Sequence, residues 1–292
     1  MFAEAYEVAS QFTRLVVVSV RRFDGSVECG HGAFVILNQE GWIATTAHIF
    51  GQQSEYETSV KEMAEYWKKL AEIDNDSSAT DKQKRKRKGQ LNPNKRWITN
   101  ISWWWCENQV TLEDRRMLPG ADLAIGRLRP FDASQVHRYP VLKNPQSLRA
   151  GTSLCKLGYP FFHIPATFDE GSGEFCLGFD DPTVPLFPLE GIYTRNKVIL
   201  NSDYGGQPIQ FLETSSPGLK GQSGGPIFDT KGTVWAIQSH TETLSLDFVP
   251  KTLQAGREVE IPQFLNIGFG VHPDVLTRFL RDNGVVFEES DY

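Results

Sequence analysis

The chain has 292 residues, 40% hydrophobic and 23% charged, with 25 glycines and 16 prolines. That composition excludes wholesale disorder and fibrous repeats, and the length suffices to bury a sizeable core without disulfide help. At about 150 residues per domain it predicts two domains or one large all-β unit. The formal net charge of -6 excludes nucleic-acid binding by the whole surface and leaves only a local basic patch for that role.

The four cysteines, Cys29, Cys106, Cys155 and Cys176, lie far apart and form no C-x-x-C pair, so their spacing does not point to zinc. Their even number is compatible with two disulfides; reduced, packed thiols in a cytosolic chain are the blander reading. The opening segment MFAEAYEVASQF carries acids and no basic stretch ahead of an apolar run. Val16, Val17 and Val18 begin an apolar stretch far too short to span a bilayer, and it ends at Arg21 and Arg22. A cytoplasmic protein without membrane association is expected.

In chain order, short β-like runs come first: LVVVSV (15–20), AFVIL (33–37) and WIATTA (42–47), separated by turn chemistry at Asp24-Gly25 and Asn38-Gln39-Glu40-Gly41. From Ser54 to about Ile73 the pattern changes. Tyr56, Val60, Met63, Trp67 and Leu70 follow at helical spacing, which predicts an amphipathic helix. Such a helix either lies on the protein's own body, the simpler reading, or docks a partner. Asp74 to Thr80 is polar and reads as a mobile connection. KQKRKRK (82–88) follows, with six basic residues of seven. It reads first as a solvated, disordered loop. Its alternatives are a contact for an anionic partner, such as nucleic acid through Lys82–Lys88, or a site cut by proteases. Trp97 and Trp103-Trp104-Trp105 would place some rings in the core and some at a surface.

Further β-like runs recur at LAIGRL (123–128), SLCKLGY (153–159), KVIL (197–200), PIQFLE (208–213), PIF (226–228), TVWAIQS (233–239) and FLNIGFGV (264–271). Many short strands at this spacing predict an antiparallel barrel or sandwich. The segment Pro273 to Asp282 closes the pattern as a helix, with Val275, Leu276, Phe279 and Leu280 on one face.

The strongest chemical signal is GQSGGP (221–226). An attacking serine must protrude on a tight turn with backbone N–H groups aimed at one point, and glycines permit that turn. Ser223 stands between Gly221 and Gly224-Gly225, and the motif runs into the apolar strand PIF. A serine hydroxyl is a weak nucleophile and needs a base. Of six histidines, only His48 follows a β-run in the form TTAH. The base needs a carboxylate to hold its tautomer, and Asp122 at the head of LAIGRL fits, because an aspartate there is costly to bury unpaired. Taken singly, each is more often structural: His48 a core histidine, Asp122 a strand-start cap, Ser223 a turn residue. Their joint occurrence in the order His, Asp, Ser carries the reading.

With these motifs in place the sequence resembles the trypsin-like serine proteases of the chymotrypsin fold, most nearly the HtrA/Deg-type protease domain without a PDZ domain. The resemblance runs from about residue 15 to 282 and rests on GWIATTAHIF (41–50), ADLAIGRL (121–128), YPVLKNPQSLRAGTSLCKLGYPF (139–161), GQSGGP and NIGFGVHPDVLTRFL (266–280). It implies an all-β fold of two antiparallel β-barrels with a C-terminal helix. Residues 1–134 would carry His48 and Asp122, and residues 135–292 would carry Ser223. It implies a serine endopeptidase acting on protein or peptide substrates without cofactor or metal. His48 would be the general base, Asp122 its orienting partner and Ser223 the nucleophile. The N–H groups of Gly221 and Ser223 would form the oxyanion hole, typically worth about 3 kcal/mol per donor. Ser239 matches the serine that supports the aspartate, and Ser239, His240 and Thr241 would form the edge that pairs with a substrate strand.

The departures from the family pattern are informative. His48 and Asp122 are separated by 74 positions, which implies a helical, basic insertion at about 52–96 near the cleft. A second insertion at about 162–189 is read as a lid or regulatory loop. Gln222 replaces the aspartate that pairs with a new N-terminus in zymogen-activated relatives, so that switch is not expected. No PDZ-like segment follows, so an oligomeric cage is not implied. Pro217, six before Ser223, replaces the acid of basic-specific relatives; a small or apolar cleavage-site residue is the reading, with His240 the residue that would reach an acidic one. The alternative function is a latent or inactive protease-fold module that recruits a regulatory partner through the 54–88 insertion. Ester hydrolysis by the same chemistry is also open.

Overall fold

The computed structural model describes residues 1–178, 184–200, 208–254, 257–261 and 263–292. A short helix, α1 (Ala3–Ser10), precedes the first strands and buries Ala5 and Ala9. Strands β1 (Thr13–Arg22), β2 (Val27–Ile36) and β3 (Trp42–Thr45) follow the expected runs. Two helices, α2 (Gly51–Asn75) and α3 (Asp81–Gly89), separate them from β4 (Ile98–Trp105), β5 (Thr111–Leu118) and β6 (Leu123–Arg129). These six strands form one antiparallel sheet in the order β4-β1-β2-β3-β6-β5.

The second half holds β7 (Val141–Leu142), β8 (Ser153–Gly158), β9 (Ala166–Asp169) and β10 (Glu174–Leu177). β11 (Phe187–Leu200), β12 (Pro208–Thr214), β13 (Pro226–Phe228) and β14 (Val234–Ser245) come next. Then follow β15 (Lys251–Gln254), β16 (Arg257–Glu260), β17 (Phe264–Val271), α4 (Pro273–Asp282) and β18 (Glu288–Glu289). The order β13-β8-β11-β12-β17-β14, with β14 also pairing back to β13, closes this sheet on itself as a six-stranded barrel. The fold is all-β with a C-terminal helix, as expected. Phe34, Val35, Ile43 and Ile125 of the first sheet share one continuous buried cluster with Leu157, Phe211, Phe228 and Phe269 of the second.

The insertion differs in detail from its expectation. The helix begins at Gly51, in direct continuation of the turn that carries His48. The face it buries is rotated from the apolar stripe: Ser59 is buried, whereas Val60 and Trp67 are 43% and 55% exposed. The reason is what it docks against. Ser59 Oγ donates to Glu55 O and accepts the Ile98 N–H at 3.1 Å, and Glu62 accepts the Trp97 indole N–H at 2.5 Å. Tyr66 packs edge-on against Phe23 and Trp97. Polar bonds and an aromatic cluster, rather than an aliphatic stripe, set the rotation. Arg22 adds bonds to Glu55 and to the Arg96 carbonyl.

KQKRKRK is not a loop. Its residues form α3, started by a capping box between Thr80 and Gln83 and packed on the acidic end of α2. Lys84 donates to the Asp74 carbonyl, Arg87 pairs with Asp76 at 2.7 Å and Lys88 with Asp74 at 2.5 Å. Asp76 in turn caps Ser78, which folds the connection read as mobile into a turn. Burial raises the carboxyl only slightly; bonds from Ser78 and Arg87 draw Asp76 down to about 2. The second insertion forms the β9–β10 hairpin, held to β1 by an Arg21–Glu170 pair and by Arg21 stacked 4.8 Å over Phe168. Its residues 179–183 lie outside the described residues.

The Ile98 N–H is buried and depends on the Ser59 hydroxyl. Ser59→Ala leaves it without a partner and is expected to cost about 1–3 kcal/mol. Urea unfolding checks this, with Thr58→Ala, whose hydroxyl bonds only its own helix, expected to stay near wild type.

Candidate active site

Strand β3 ends at Thr45, and a single 3-10 turn, Ala47–Phe50, lifts His48 from the sheet with its ring half exposed. Asp122 ends a second short turn in left-handed backbone, φ 51°, a conformation aspartate tolerates better than most residues. The two turns are stitched together by the Ala47 N–H donating to Asp122 O at 3.2 Å.

The Asp122 carboxylate accepts three hydrogen bonds. Oδ1 takes the His48 backbone N–H at 2.9 Å, and Oδ2 takes His48 Nδ1 at 2.8 Å and Ser239 Oγ at 2.6 Å. Burial alone pushes this carboxyl up; the hydrogen bond and charge of His48, with Ser239 added, outweigh it and hold the group below its ordinary value. With Nδ1 committed to the carboxylate, Nε2 is the acceptor nitrogen and takes a long hydrogen bond from Thr46 Oγ1 at 3.5 Å.

Ser223 stands on a loop gripped from both sheets. Its carbonyl accepts the Ala33 N–H of β2 at 2.7 Å, while Gly224 and Gly225 exchange bonds with Gln238 of β14, each at 2.8 Å. Ahead of it, Gln222 N–H donates to Leu219 O at 2.9 Å, and Gly221 has φ 95°. This is a type II turn, whose third position requires positive φ. A Cβ at Gly221 would meet Tyr159 O at 2.3 Å, and one at Gly224 would meet Ala33 O at 2.0 Å, so glycine is required at both. Among the described residues, neither the Gly221 N–H nor the Ser223 N–H donates to a protein acceptor. The Ser223 hydroxyl donates to Ser239 O at 3.4 Å, and among the described residues no hydrogen bond joins it to His48.

The structure therefore brings His48, Asp122 and Ser239 into one bonded network, with Ser223 tied to the same strand. The other expected residues line the neighbouring segment. Pro217 offers its carbonyl to Lys156, and Thr241 bonds Gly218. The His240 ring stacks on Phe269 with centroids 5.0 Å apart, and its Nδ1 lies 2.9 Å from Ser239 Oγ. Burial pushes His240 down, against the opposing pull of Glu242 and Asp122.

Four supporting residues escape the sequence reading. Gln222, read there only for the switch it lacks, braces the turn: Oε1 accepts the Leu219 N–H at 3.0 Å and Nε2 donates to Phe187 O at 3.3 Å. Thr45 Oγ1 donates to Ala33 O, and His31 Nε2 bonds Tyr159 O at 2.8 Å behind Gly221. Lys156 is wholly buried beneath Pro217. Its signal was a cation inside the apolar run SLCKLGY, which is costly to bury without acceptors. The four cysteines carry free thiols. Among the described residues no group of three or more His, Cys, Asp or Glu is placed to hold a metal ion, and no helix is long and apolar enough to cross a membrane.

A sequence profile described as the trypsin-like peptidase domain matches residues 30–237, more than half of the chain, and spans His48, Asp122 and Ser223. The chain belongs to that family. No curated protein matches this trypsin-like peptidase in sequence. Among solved structures, one similar to it is an HtrA-type protease, a variant of AlgW with a tripeptide, at 14% identity and a TM-score of 0.48. That alignment covers 97% of this chain and 63% of the other, so this chain spans less than two thirds of its length.

The Asp122 shift has a measurable sign. Its native carboxyl loses its proton below the ordinary value of 3.8, so the unfolded state binds more protons there. The stabilisation is complete above the unfolded value and is lost as pH falls through the native one. The stability gap between wild type and Asp122→Asn is expected to shrink as pH falls from about 5 to below about 4. Thermal unfolding across that range checks it; a gap that stays constant to the acid limit contradicts the assignment.

Proposed function

We propose that this trypsin-like peptidase is a serine endopeptidase that cleaves peptide bonds through an acyl-enzyme. One observation carries the reading: the Asp122 carboxylate holds His48 by both its backbone N–H and Nδ1, beside a serine flanked by two undonated N–H groups. Nδ1–H bonded to Asp122 leaves Nε2 with its lone pair, the form a general base needs. In the reaction the Ser223 hydroxyl leaves Ser239 O and donates to Nε2. As Oγ attacks the scissile carbonyl carbon, its proton passes to Nε2, and Asp122 stabilises the imidazolium. The carbonyl oxygen gains the negative charge and meets the N–H groups of Gly221 and Ser223. Collapse of the adduct breaks the C–N bond, and His48 returns the proton to the leaving amine. Water then attacks the ester by the same route, restoring Ser223.

The substrate strand adds to the edge formed by Ser239, His240 and Thr241, and its N–H takes over Ser239 O as acceptor from the resting hydroxyl. Residues 1–134 contribute base and carboxylate, and residues 135–292 contribute the nucleophile. The free thiols fit a reducing, cytoplasmic setting. A second reading, a latent module that recruits a regulatory partner through residues 54–88, is favoured by the resting bond of Ser223 Oγ to Ser239 O in place of His48. An anionic partner, nucleic acid included, would meet Lys82–Lys88 on α3.

A fluorophosphonate is expected to label the full chain at Ser223, and Ser223→Ala is expected to abolish the label. The same variant should lose roughly 10⁶-fold in peptide turnover, the scale of measured nucleophile deletions. Labelling that persists in Ser223→Ala would sink the endopeptidase reading, and a wild-type chain that neither labels nor cleaves supports the latent module.

A further inference from the structure

A peptide paired with the β14 edge, its reacting carbonyl at the Gly221 and Ser223 N–H groups, sends the side chain preceding the scissile bond between two walls. One wall is the segment 216–220, and the other is Ser239 to Thr241. Gly268 of β17, opposite Thr241 in the register, forms part of the floor. In an open pocket these walls would stand apart. Here they are tied together. Thr241 Oγ1 accepts the Gly218 N–H at 2.7 Å and donates to Gly218 O at 2.8 Å, a reciprocal pair across the mouth.

The space below that bridge is also taken. A Cβ at Gly218 would fall 2.1 Å from Gln238 Nε2, and one at Gly268 would fall 3.0 Å from Lys156 Nζ and 2.7 Å from Ser216 O. Both filling side chains are 1% exposed. Neither is loose. The Lys156 ammonium donates to Ser216 O at 2.6 Å, Ser216 Oγ at 2.7 Å and Pro217 O at 3.2 Å, which uses all of its protons. Gln238 Nε2 donates to His240 O and Phe269 O, each at 3.2 Å. An incoming side chain can displace either filler only by stripping hydrogen bonds from a buried polar group, which is expensive.

We propose that Thr241, Gln238 and Lys156 fill the cleavage-site pocket, so that the enzyme cuts after small residues: glycine, alanine and serine. This rests on the endopeptidase reading above and names its substrate class. Thr241 is the specificity-determining residue at the mouth, with Gln238 and Lys156 fixing the depth. Branched, aromatic and long charged side chains meet the Thr241–Gly218 bridge before they are buried.

The test is a peptide-library digest by the full chain, read beside fluorophosphonate labelling of Ser223. Wild type is expected to cut after alanine at least about 10-fold faster than after leucine or phenylalanine, the scale at which pocket fit discriminates. Thr241→Gly alone leaves Gln238 and Lys156 in place and is expected to keep phenylalanine disfavoured, whereas Thr241→Gly combined with Gln238→Ala removes the bridge and one filler and is expected to narrow the gap between alanine and leucine at least several-fold. Thr241→Ser keeps the hydroxyl and is expected to keep the wild-type ranking. In the wild-type chain, a peptide boronate ending in alanine should protect Ser223 from the label at a concentration at least about 10-fold lower than its phenylalanine counterpart; this arm needs no variant to fold. Equal cutting or equal protection in the wild-type chain, or an unchanged ranking in the double variant, with Ser223 still labelled, overturns the pocket proposal and leaves the endopeptidase standing. Absence of both labelling and cleavage overturns both.

Discussion

The Asp122 carboxylate is the constraint on which the site depends. It is fixed from the first sheet by the backbone and ring of His48, and from the second by Ser239 at the point where β14 passes the cleft. An ionised carboxylate with three donors is stable where an unpaired one would not be. The same contact orients the imidazole, sets its tautomer and registers one sheet against the other. The loop of Ser223 repeats the pattern, with its carbonyl on β2 and its next residues on β14. His48 and Ser223 are therefore positioned by bonds that cross between the two halves, rather than by either half alone.

A second principle runs beneath the cleft. Buried polar groups are used as scaffolding where apolar packing would leave the backbone unsatisfied. Gln222 completes the turn ahead of the nucleophile, Lys156 satisfies the carbonyls of Ser216 and Pro217, and Gln238 bridges β14 and β17. Gln222 and Lys156 serve a loop that carries no ladder of its own, and Gln238 serves the irregularity in the β14–β17 pairing. Burial pushes the Lys156 ammonium down to about 7, with no carboxylate among the described residues to offset the lost hydration.

Much of this was legible in the sequence because it is written locally. Short runs of β-branched and aromatic residues marked β1, β2, β3, β6, β8, β12, β13, β14 and β17, and GQSGGP announced a turn that needs glycine at Gly221 and Gly224. What stayed hidden depends on partners distant in the chain. The basic run forms α3 because Thr80 and Gln83 start it and Asp74 and Asp76 receive its cations, none of which is visible as hydrophobic periodicity. Strand β5, TLEDRRML, is mostly exposed and carries no apolar alternation. The face chosen by α2 follows from the Ile98 N–H and the Trp97 indole, so the apolar stripe pointed to Val60 and Trp67 while the helix turned Ser59 inward. The packing of Gln238 and Lys156 beneath Gly218 and Gly268 is likewise a property of three strands meeting, with no motif of its own.

The junction between the histidine turn and α2 has a mechanical consequence. No residue separates them, since the turn ends at Phe50 and the helix starts at Gly51. A helix of this length, 25 residues, is a rod of about 37 Å. Its near end is welded to the imidazole and its far end carries a cluster of cations. Because Glu55, Ser59 and Glu62 fasten it to Arg22, Ile98 and Trp97 along the way, the rod holds the basic helix α3 at a set distance from the histidine turn.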